Sequence, residues 1–317
     1  MRLRAELAIL AVTIVWGATF VIVKSALHDV STVLFLTLRF LLASAVLALV
    51  YRSSLHRRQM AAAARPGLLA GLFLAAAYLL QTAGLEFTTP SKSAFLTSLC
   101  VVLVPLLGTF VSYVMARKTG RPFAGYQIVP RNGELLAIAL AMTGMWLLTA
   151  PETGADWNQG DLLTVGAAWA FAAHILVLGR FASQAGFTGI SLWQIFTATA
   201  LFAASVGWME PIRFRPTRPA ITAIIFTGLL CTAVAFTVQA WAQQHTTPTR
   251  IALIFAGEPV AAAATSYMTE GEILSTRAAL GAGLILAGII AAETIPRPTA
   301  STGQSPQDGP ERPFVGE

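Results

Sequence analysis

Charge is scarce in this chain: Asp, Glu, Lys and Arg make up 11% of its 317 residues, against about 25% in a typical soluble domain. The two cysteines, Cys100 and Cys231, both lie inside apolar runs, so no disulfide framework and no thiolate metal spacing is spelled out. The four histidines (His28, His56, His174, His245) stand at no catalytic spacing from acidic residues. No glycine loop of the kind that cradles phosphate is present. These shortages argue against an enzyme, a metalloprotein and a nucleotide-driven pump, and the expectation is no cofactor and no metal. The net charge of +6 does not point to nucleic acid, because the basic residues sit in short segments between apolar runs.

What the chain has in abundance is apolar length. Hydrophobic residues are 56% of the total, and a hydrocarbon core of about 30 Å needs about 20 of them as helix. Ten stretches meet or approach that length, near 7–23, 32–51, 67–85, 93–115, 134–150, 161–179, 189–208, 220–241, 250–268 and 278–293. The fold expected is therefore an all-α polytopic membrane protein with ten transmembrane helices. Arg2 and Arg4 ahead of the first run imitate a signal peptide, but no small-residue cleavage site follows, so an uncleaved first helix is expected. Residues 294–317 are rich in Pro, Ser, Thr, Gln and Gly and read as a disordered tail.

The basic residues set the expected orientation. With the N-terminus in the cytoplasm, fourteen fall on inner segments (Arg2, Arg4, Arg52, Arg57, Arg58, Arg65, Arg117, Lys118, Arg121, Arg131, Arg180, Arg250, Arg297, Arg312). Six fall outside: Lys24, Lys92, Arg213, Arg215, Arg218 and Arg277. The positive-inside rule then puts both termini in the cytoplasm. The three arginines of the 209–219 loop run against it, while the acidic 151–161 loop (Glu152, Asp156, Asp161) suits the outside.

The chain also repeats itself. Residues 78–92 read YLLQTAGLEFTTPSK and residues 236–250 read FTVQAWAQQHTTPTR. Gln81 matches Gln239, Thr88-Thr89-Pro90 matches Thr246-Thr247-Pro248, and Lys92 matches Arg250, all at an offset of 158. Downstream, Pro105 and Pro259 match at 154, as if one helical turn had been added to the first copy. Upstream, the Trp16 run pairs with the Trp169 run. Five spans per copy is an odd number, so the second copy (161–293) must cross the membrane inverted with respect to the first (7–150). Inverted repeats that rock about a midplane site are the build of many secondary transporters.

Trp16-Gly17, Lys24, Arg39-Phe40, Ala94-Phe95-Leu96-Thr97-Ser98 ahead of Pro105, Gly179-Arg180, Glu258-Pro259, Gly271-Glu272 and the glycine-rich last span (Gly281, Gly283, Gly288) form an ordered set. In that order they resemble the EamA-type members of the drug/metabolite transporter superfamily, over about residues 7–293. The resemblance implies ten helices in two inverted five-helix repeats, a central cavity, and export or exchange of small metabolites, amino acids or drugs. It also directs attention to Thr97 and Ser98. The first half departs from the pattern: where Gly-Glu is expected after its fourth span it carries a basic loop, 116–133.

Polar groups at membrane depth are costly, about 3 kcal/mol for a central charge on insertion scales, so each asks for a reason. Arg39 reads either as a cationic contact for a carboxylate or phosphate, or as a side chain snorkelling outward. Lys24 reads as an interface anchor. Glu258 precedes Pro259, which cannot donate to the Phe255 carbonyl, so the pair should face protein or a wet cavity. Glu258 and His174 are candidates for proton coupling, against structural hydrogen bonding for each. Trp16, Tyr78, Trp169 and Trp241 line a cavity or belong to interface belts; Gln81, Gln239 and Gln194 contact substrate or bridge helices. The expected function is a secondary transporter, an exporter or exchanger of small metabolites, amino acids or drug-like compounds, in a bacterial inner membrane. The alternatives are a polytopic membrane enzyme such as a lipid transferase, and a channel. The expected partners are a small-molecule substrate, a coupling proton and the lipid bilayer; monomer and homodimer both stay open.

Overall fold

The computed structural model describes residues 1–53, 56–119, 132–149, 157–270 and 275–294. Arg121, Arg131, Glu152, Asp156, the Gly271-Glu272 pair and the tail beyond 294 lie outside them. Among the described residues the chain is helical throughout, with one isolated bridge between Val30 and Phe214.

In chain order the helices are α1 (Arg2–Ala26), α2 (Thr32–Tyr51), α3 (Arg57–Phe87), α4 (Pro90–Ser98), α5 (Cys100–Thr119), α6 (Asn132–Thr149), α7 (Gln159–Ala185), α8 (Phe187–Ser205), α9 (Arg218–Gly228), α10 (Ala235–Ala242), α11 (Pro248–Phe255), α12 (Glu258–Glu270) and α13 (Thr276–Thr294). A π-helical turn, Leu229–Val234, joins α9 to α10. Seven segments are long and apolar enough to cross a membrane: α1, α2, α3, α4 with α5, α7, α8, and α9 through α10. The apolar parts of α6 and α13, Leu135–Leu148 and Thr276–Ala291, are shorter.

Three of the runs read as single spans are interrupted. The ninth divides at Ala256–Gly257, because Pro259 has no N–H to continue the ladder. The eighth widens into the π turn. The fourth divides at Leu99, which nothing in the local sequence marks. The prolines matched in the two copies therefore stand at different places: Pro259 opens α12 next to the break, whereas Pro105 lies inside α5.

The repeated Thr-Thr-Pro has a direct local cause. Thr89 and Thr247 are N-caps, their hydroxyls accepting from the N–H of Lys92 (3.2 Å) and Arg250 (3.4 Å), and Pro90 and Pro248 follow at the first helical position. Such a cap contributes about 1 kcal/mol, and proline there loses no bond because that N–H would be unpaired anyway.

Close packing follows the small residues. A β-carbon on Gly281 would lie 2.5 Å from the Gly144 carbonyl oxygen, and one on Gly288 would lie 2.8 Å from that of Ala137. So α13 and α6 touch backbone to backbone, as small residues permit between membrane helices. Across α2 and α8, the hydroxyls of Ser44 and Thr199 bond at 2.8 Å. The 206–217 loop is sewn to the α1–α2 turn: Ser31 N–H donates to the Arg213 carbonyl (2.9 Å), Arg215 N–H to that of Asp29 (2.9 Å), and the Arg213 guanidinium to that of Leu27 (2.8 Å). That gives Arg213 a structural task and weakens its force as a topology signal.

Candidate functional site

A cavity lies between the helices at mid-depth. Trp16, Thr19, Phe20 and Val23 of α1 and Arg39 of α2 line it on one side. Tyr78, Gln81, Thr82 and Leu85 of α3 continue the wall, with Thr97 and Cys100 at the α4–α5 break. The opposite side is Phe171, His174 and Ile175 of α7, Phe236 and Gln239 of α10, and Phe255 and Glu258 at the α11–α12 break. Both helix breaks therefore open on the same space. This is the placement in which irregular backbone is tolerated at membrane depth.

Its walls are aromatic. Trp16 packs on Phe236 and Phe255 with ring centroids 5.2 and 5.1 Å apart, and Tyr78 packs edge-on against Phe171 (5.4 Å) and Phe236 (5.8 Å). Such pairs are separated by the distances at which ring quadrupoles attract.

Arg39 is 3% exposed. Its Nε donates to Thr232 Oγ1 (2.7 Å) and one Nη to Tyr78 Oη (3.2 Å) and the Cys231 carbonyl (3.5 Å). The guanidinium also sits 4.6 Å from the Tyr78 ring centroid, a cation–π arrangement. It does not snorkel outward, and no carboxylate pairs with it among the described residues. The π turn makes this possible. Its wide loop turns the Cys231 carbonyl toward α1 and α2, where Trp16 Nε1 also donates to it (2.9 Å). Thr232 meanwhile donates to the Thr227 carbonyl five residues back (2.8 Å). π turns of this sort occur frequently at functional sites.

Glu258, 7% exposed, has no hydrogen-bond or ion-pair partner among the described residues. Gly17 explains how its backbone is held: a β-carbon there would lie 2.5 Å from the Glu258 carbonyl oxygen, so only glycine lets α1 lie against the break. In the Trp16-Gly17 pair, one residue faces the cavity and the next packs on its supporting backbone. His174 lines the same cavity, and its Nε2 pairs with Gln194 Oε1 at 2.7 Å. No bond joins His174 to Glu258. Gln81 donates to Thr97 Oγ1 (2.9 Å), and Gln239 to Gln243 Oε1 (3.3 Å).

Of the residues singled out from sequence, Trp16, Arg39, Tyr78, Gln81, Thr97, His174, Gln239 and Glu258 share the cavity. Ser98, Trp169 and Trp241 do not. Ser98 Oγ donates to the Ala94 carbonyl within its own helix (2.8 Å). Trp241 packs edge-on against His245 (5.3 Å). Trp169 is 48% exposed on the outer surface of α7; Phe171, two residues and about 200° further round the helix, faces inward instead. Lys24 is no interface anchor: its ammonium binds the carbonyls of Leu85, Glu86 (3.1 Å) and Thr88 (3.0 Å), closing the C-terminal end of α3. The sequence reading missed Phe171, Phe236, Phe255, Thr19 and Cys100. An apolar residue inside an apolar span carries no signal of which way it faces.

This arrangement separates two tryptophans by consequence. Phe171→Ala should weaken binding of an aromatic or amphipathic ligand roughly tenfold, on the scale of a lost aromatic contact of about 0.5–1.5 kcal/mol. Trp169→Ala should leave ligand affinity unchanged within twofold. Tryptophan-quenching or scintillation-proximity binding on the two purified variants checks the contrast.

A family model described as the EamA-like transporter family matches residues 3–117 and 158–293. An "Uncharacterized transporter" of Archaeoglobus fulgidus is 29% identical over 289 residues, covering 91% of this chain and 85% of that one. The "Uncharacterized transporter YwfM" of Bacillus subtilis is 23% identical over 297 residues, covering 92% and 94%. A crystal structure of a protein superposes with a TM-score of 0.71 at 18% identity, over 92% of this chain and 97% of that chain, a likeness of fold alone.

Proposed function

The chain belongs to the EamA-like transporter family and is a multi-pass membrane protein; from that premise we propose that it is a secondary transporter that moves small amphipathic metabolites through its central cavity by alternating access. The observation that carries this reading is the cavity itself. Two broken helices from opposite parts of the chain meet there, each offering a polar group in an aromatic surround. Discontinuous helices at a midplane site are how several transporter folds hold substrate without a nucleotide.

Two inverted five-helix repeats, 7–150 and 161–293, are part of the proposal. It is supported by the family model matching two separate stretches. It is supported also by the pairing of cavity residues: Trp16, Thr19 and Phe20 stand 155 residues before Phe171, His174 and Ile175, and Tyr78, Gln81, Thr97 and Cys100 stand 158 before Phe236, Gln239, Phe255 and Glu258. Trp16 thus pairs with Phe171 in place of Trp169.

The cavity joins one cation, Arg39, and one carboxyl, Glu258, neither of them bound to an opposite charge. That suits amino acids and other compounds with a carboxylate, an amine and an apolar body. Highly charged sugar phosphates would want several basic groups. The membrane is a bacterial inner membrane and both termini are cytoplasmic, which makes export or exchange the direction of use.

The test is a labelled library of amino acids, amphipathic metabolites and sugar phosphates offered to proteoliposomes. Saturable flux confined to the amphipathic compounds is the expected result. Non-saturable flux, or chemical conversion of a compound, would overturn the reading. Reporter fusions complete it: those after Arg58 and Arg121 should report cytoplasm and one after Asp156 the outside, and a cytoplasmic signal at 156 would remove the inverted repeat.

A further inference from the structure

Two polar clusters stand far from the cavity floor, and they are built alike. In the first, Thr88 Oγ1 donates to Asp161 Oδ1 (2.8 Å) and Lys92 Nζ to Asp161 Oδ2 (2.5 Å). In the second, Thr246 Oγ1 donates to Glu6 Oε1 (2.9 Å) and an Arg250 Nη lies 3.5 Å from the same oxygen, with Arg2 Nε adding a third contact at 2.8 Å. Thr88 and Lys92 stand 158 residues before Thr246 and Arg250, and Glu6 stands 155 before Asp161. These are the same two offsets that pair the cavity residues. Both acids are buried, Asp161 fully so.

The clusters lie at opposite ends of α1. Glu6 is in its first turns; at the other end Lys24 holds the carbonyl of Thr88, whose hydroxyl holds Asp161. Eighteen residues of helix separate Glu6 from Lys24, about 27 Å at 1.5 Å each, close to the thickness of a hydrocarbon core. The cavity residues of α1, Trp16 to Val23, lie between them. Each cluster also crosses the same boundary in the chain. The first ties α4 and the α3–α4 turn to the start of α7; the second ties α11 and the α10–α11 turn to the start of α1.

We propose that Thr88–Lys92–Asp161 and Thr246–Arg250–Glu6 are a symmetry-related pair of latches, one at each mouth of the cavity, which release in turn as the two halves rock. The Thr-Thr-Pro-x-Lys/Arg repeat then has one purpose in both copies. Its first threonine and its basic residue grip the acid on the other half, and its second threonine and proline hold the helix start that presents them. A buried ion pair of this kind is a poor source of stability but a good two-state element, because breaking it leaves charges that must be resolvated. Opening one mouth means wetting that latch while the other stays dry. The proposal rests on the alternating-access reading of the cavity.

The test uses Cys100, which lines the cavity between the latches, as the sole reactive thiol in a Cys231→Ala background. A membrane-impermeant thiol reagent is applied from one face at a time, in right-side-out and inverted vesicles. Asp161→Asn should raise the labelling rate from the Lys92 face about tenfold and lower it from the other; Glu6→Gln should do the reverse. Lys92→Gln and Arg250→Gln break the same latches from the partner side, leaving the Asn158–Asp161 capping box in place, and must give the same signs. Rates unchanged from either face, or raised from both faces by every variant, would overturn the latches. Equal labelling of the parent protein from both faces, unaltered by transported substrate, would overturn alternating access itself, a separate and recognisable failure.

Discussion

Glu258→Gln should fold, retain substrate-for-substrate exchange, and lose at least tenfold in accumulation driven by a pH gradient. The carboxyl sits on the cavity wall at the first position of α12, with no partner among the described residues. Its backbone is fixed between Gly17 on α1 and the break at Gly257, so the side chain is held in place by something other than its own bonds. Glutamine matches glutamate in size and can hydrogen-bond, so packing around the break is kept. What glutamine cannot do is take up a proton from one side and give it back on the other. If the cavity opens to each side in turn, that exchange links proton flow to substrate flow. Exchange of one substrate molecule for another needs no proton and should survive. Flux in proteoliposomes with and without an imposed gradient measures both. Unchanged gradient-driven accumulation in the variant would leave Glu258 without a coupling role.

Arg39→Gln should weaken transport of carboxylate substrates by ten- to a hundredfold, the scale of a hydrogen bond to a charged group, about 1.5–3 kcal/mol. The guanidinium is oriented from behind by Thr232, Tyr78 and the Cys231 carbonyl. Those contacts are all with neutral groups, so the positive charge is held in place without being cancelled. A substrate carboxylate would complete it, and a substrate amine would find Glu258 in the same cavity. The loss should therefore be selective: carboxylate ligands weaken, while their amide or alcohol analogues change little. Binding of matched analogues to the purified variant, with its yield of folded protein, makes the comparison. A uniform loss across analogues, or a matching loss of folded protein, would make Arg39 a packing residue that supports the π turn.

The residues visible from sequence were those whose presence at membrane depth needed an explanation. Arg39, Glu258, His174 and the two matched glutamines are costly in an apolar span, and each lies on the cavity. The apolar lengths gave helices throughout, and Thr-Thr-Pro marked two helix starts through its capping chemistry. Where the reading went astray, the cause was direction or backbone geometry. Trp169 and Phe171 differ in facing by about half a turn, and in a helix apolar on all sides no periodicity separates the lipid side from the inner side. The breaks at Leu99 and at the Leu229–Val234 π turn have no Gly-Pro signature, yet the second is what aims a carbonyl at Arg39 and Trp16. Lys24 was misread because a charge near a helix end fits an interface anchor equally well; only the fold reveals three carbonyls gathered around it.

Counterflow in proteoliposomes tests the central claim most directly. Vesicles holding the purified protein are loaded with an excess of an unlabelled amphipathic amino acid, then diluted into a trace of the labelled compound with no ion gradient. A cavity that faces one side at a time must accumulate label transiently above equilibrium, and the overshoot should shrink when Arg39 is replaced by Gln. Label that only equilibrates, at a rate indifferent to the internal load, would contradict alternating access and place the protein among channels.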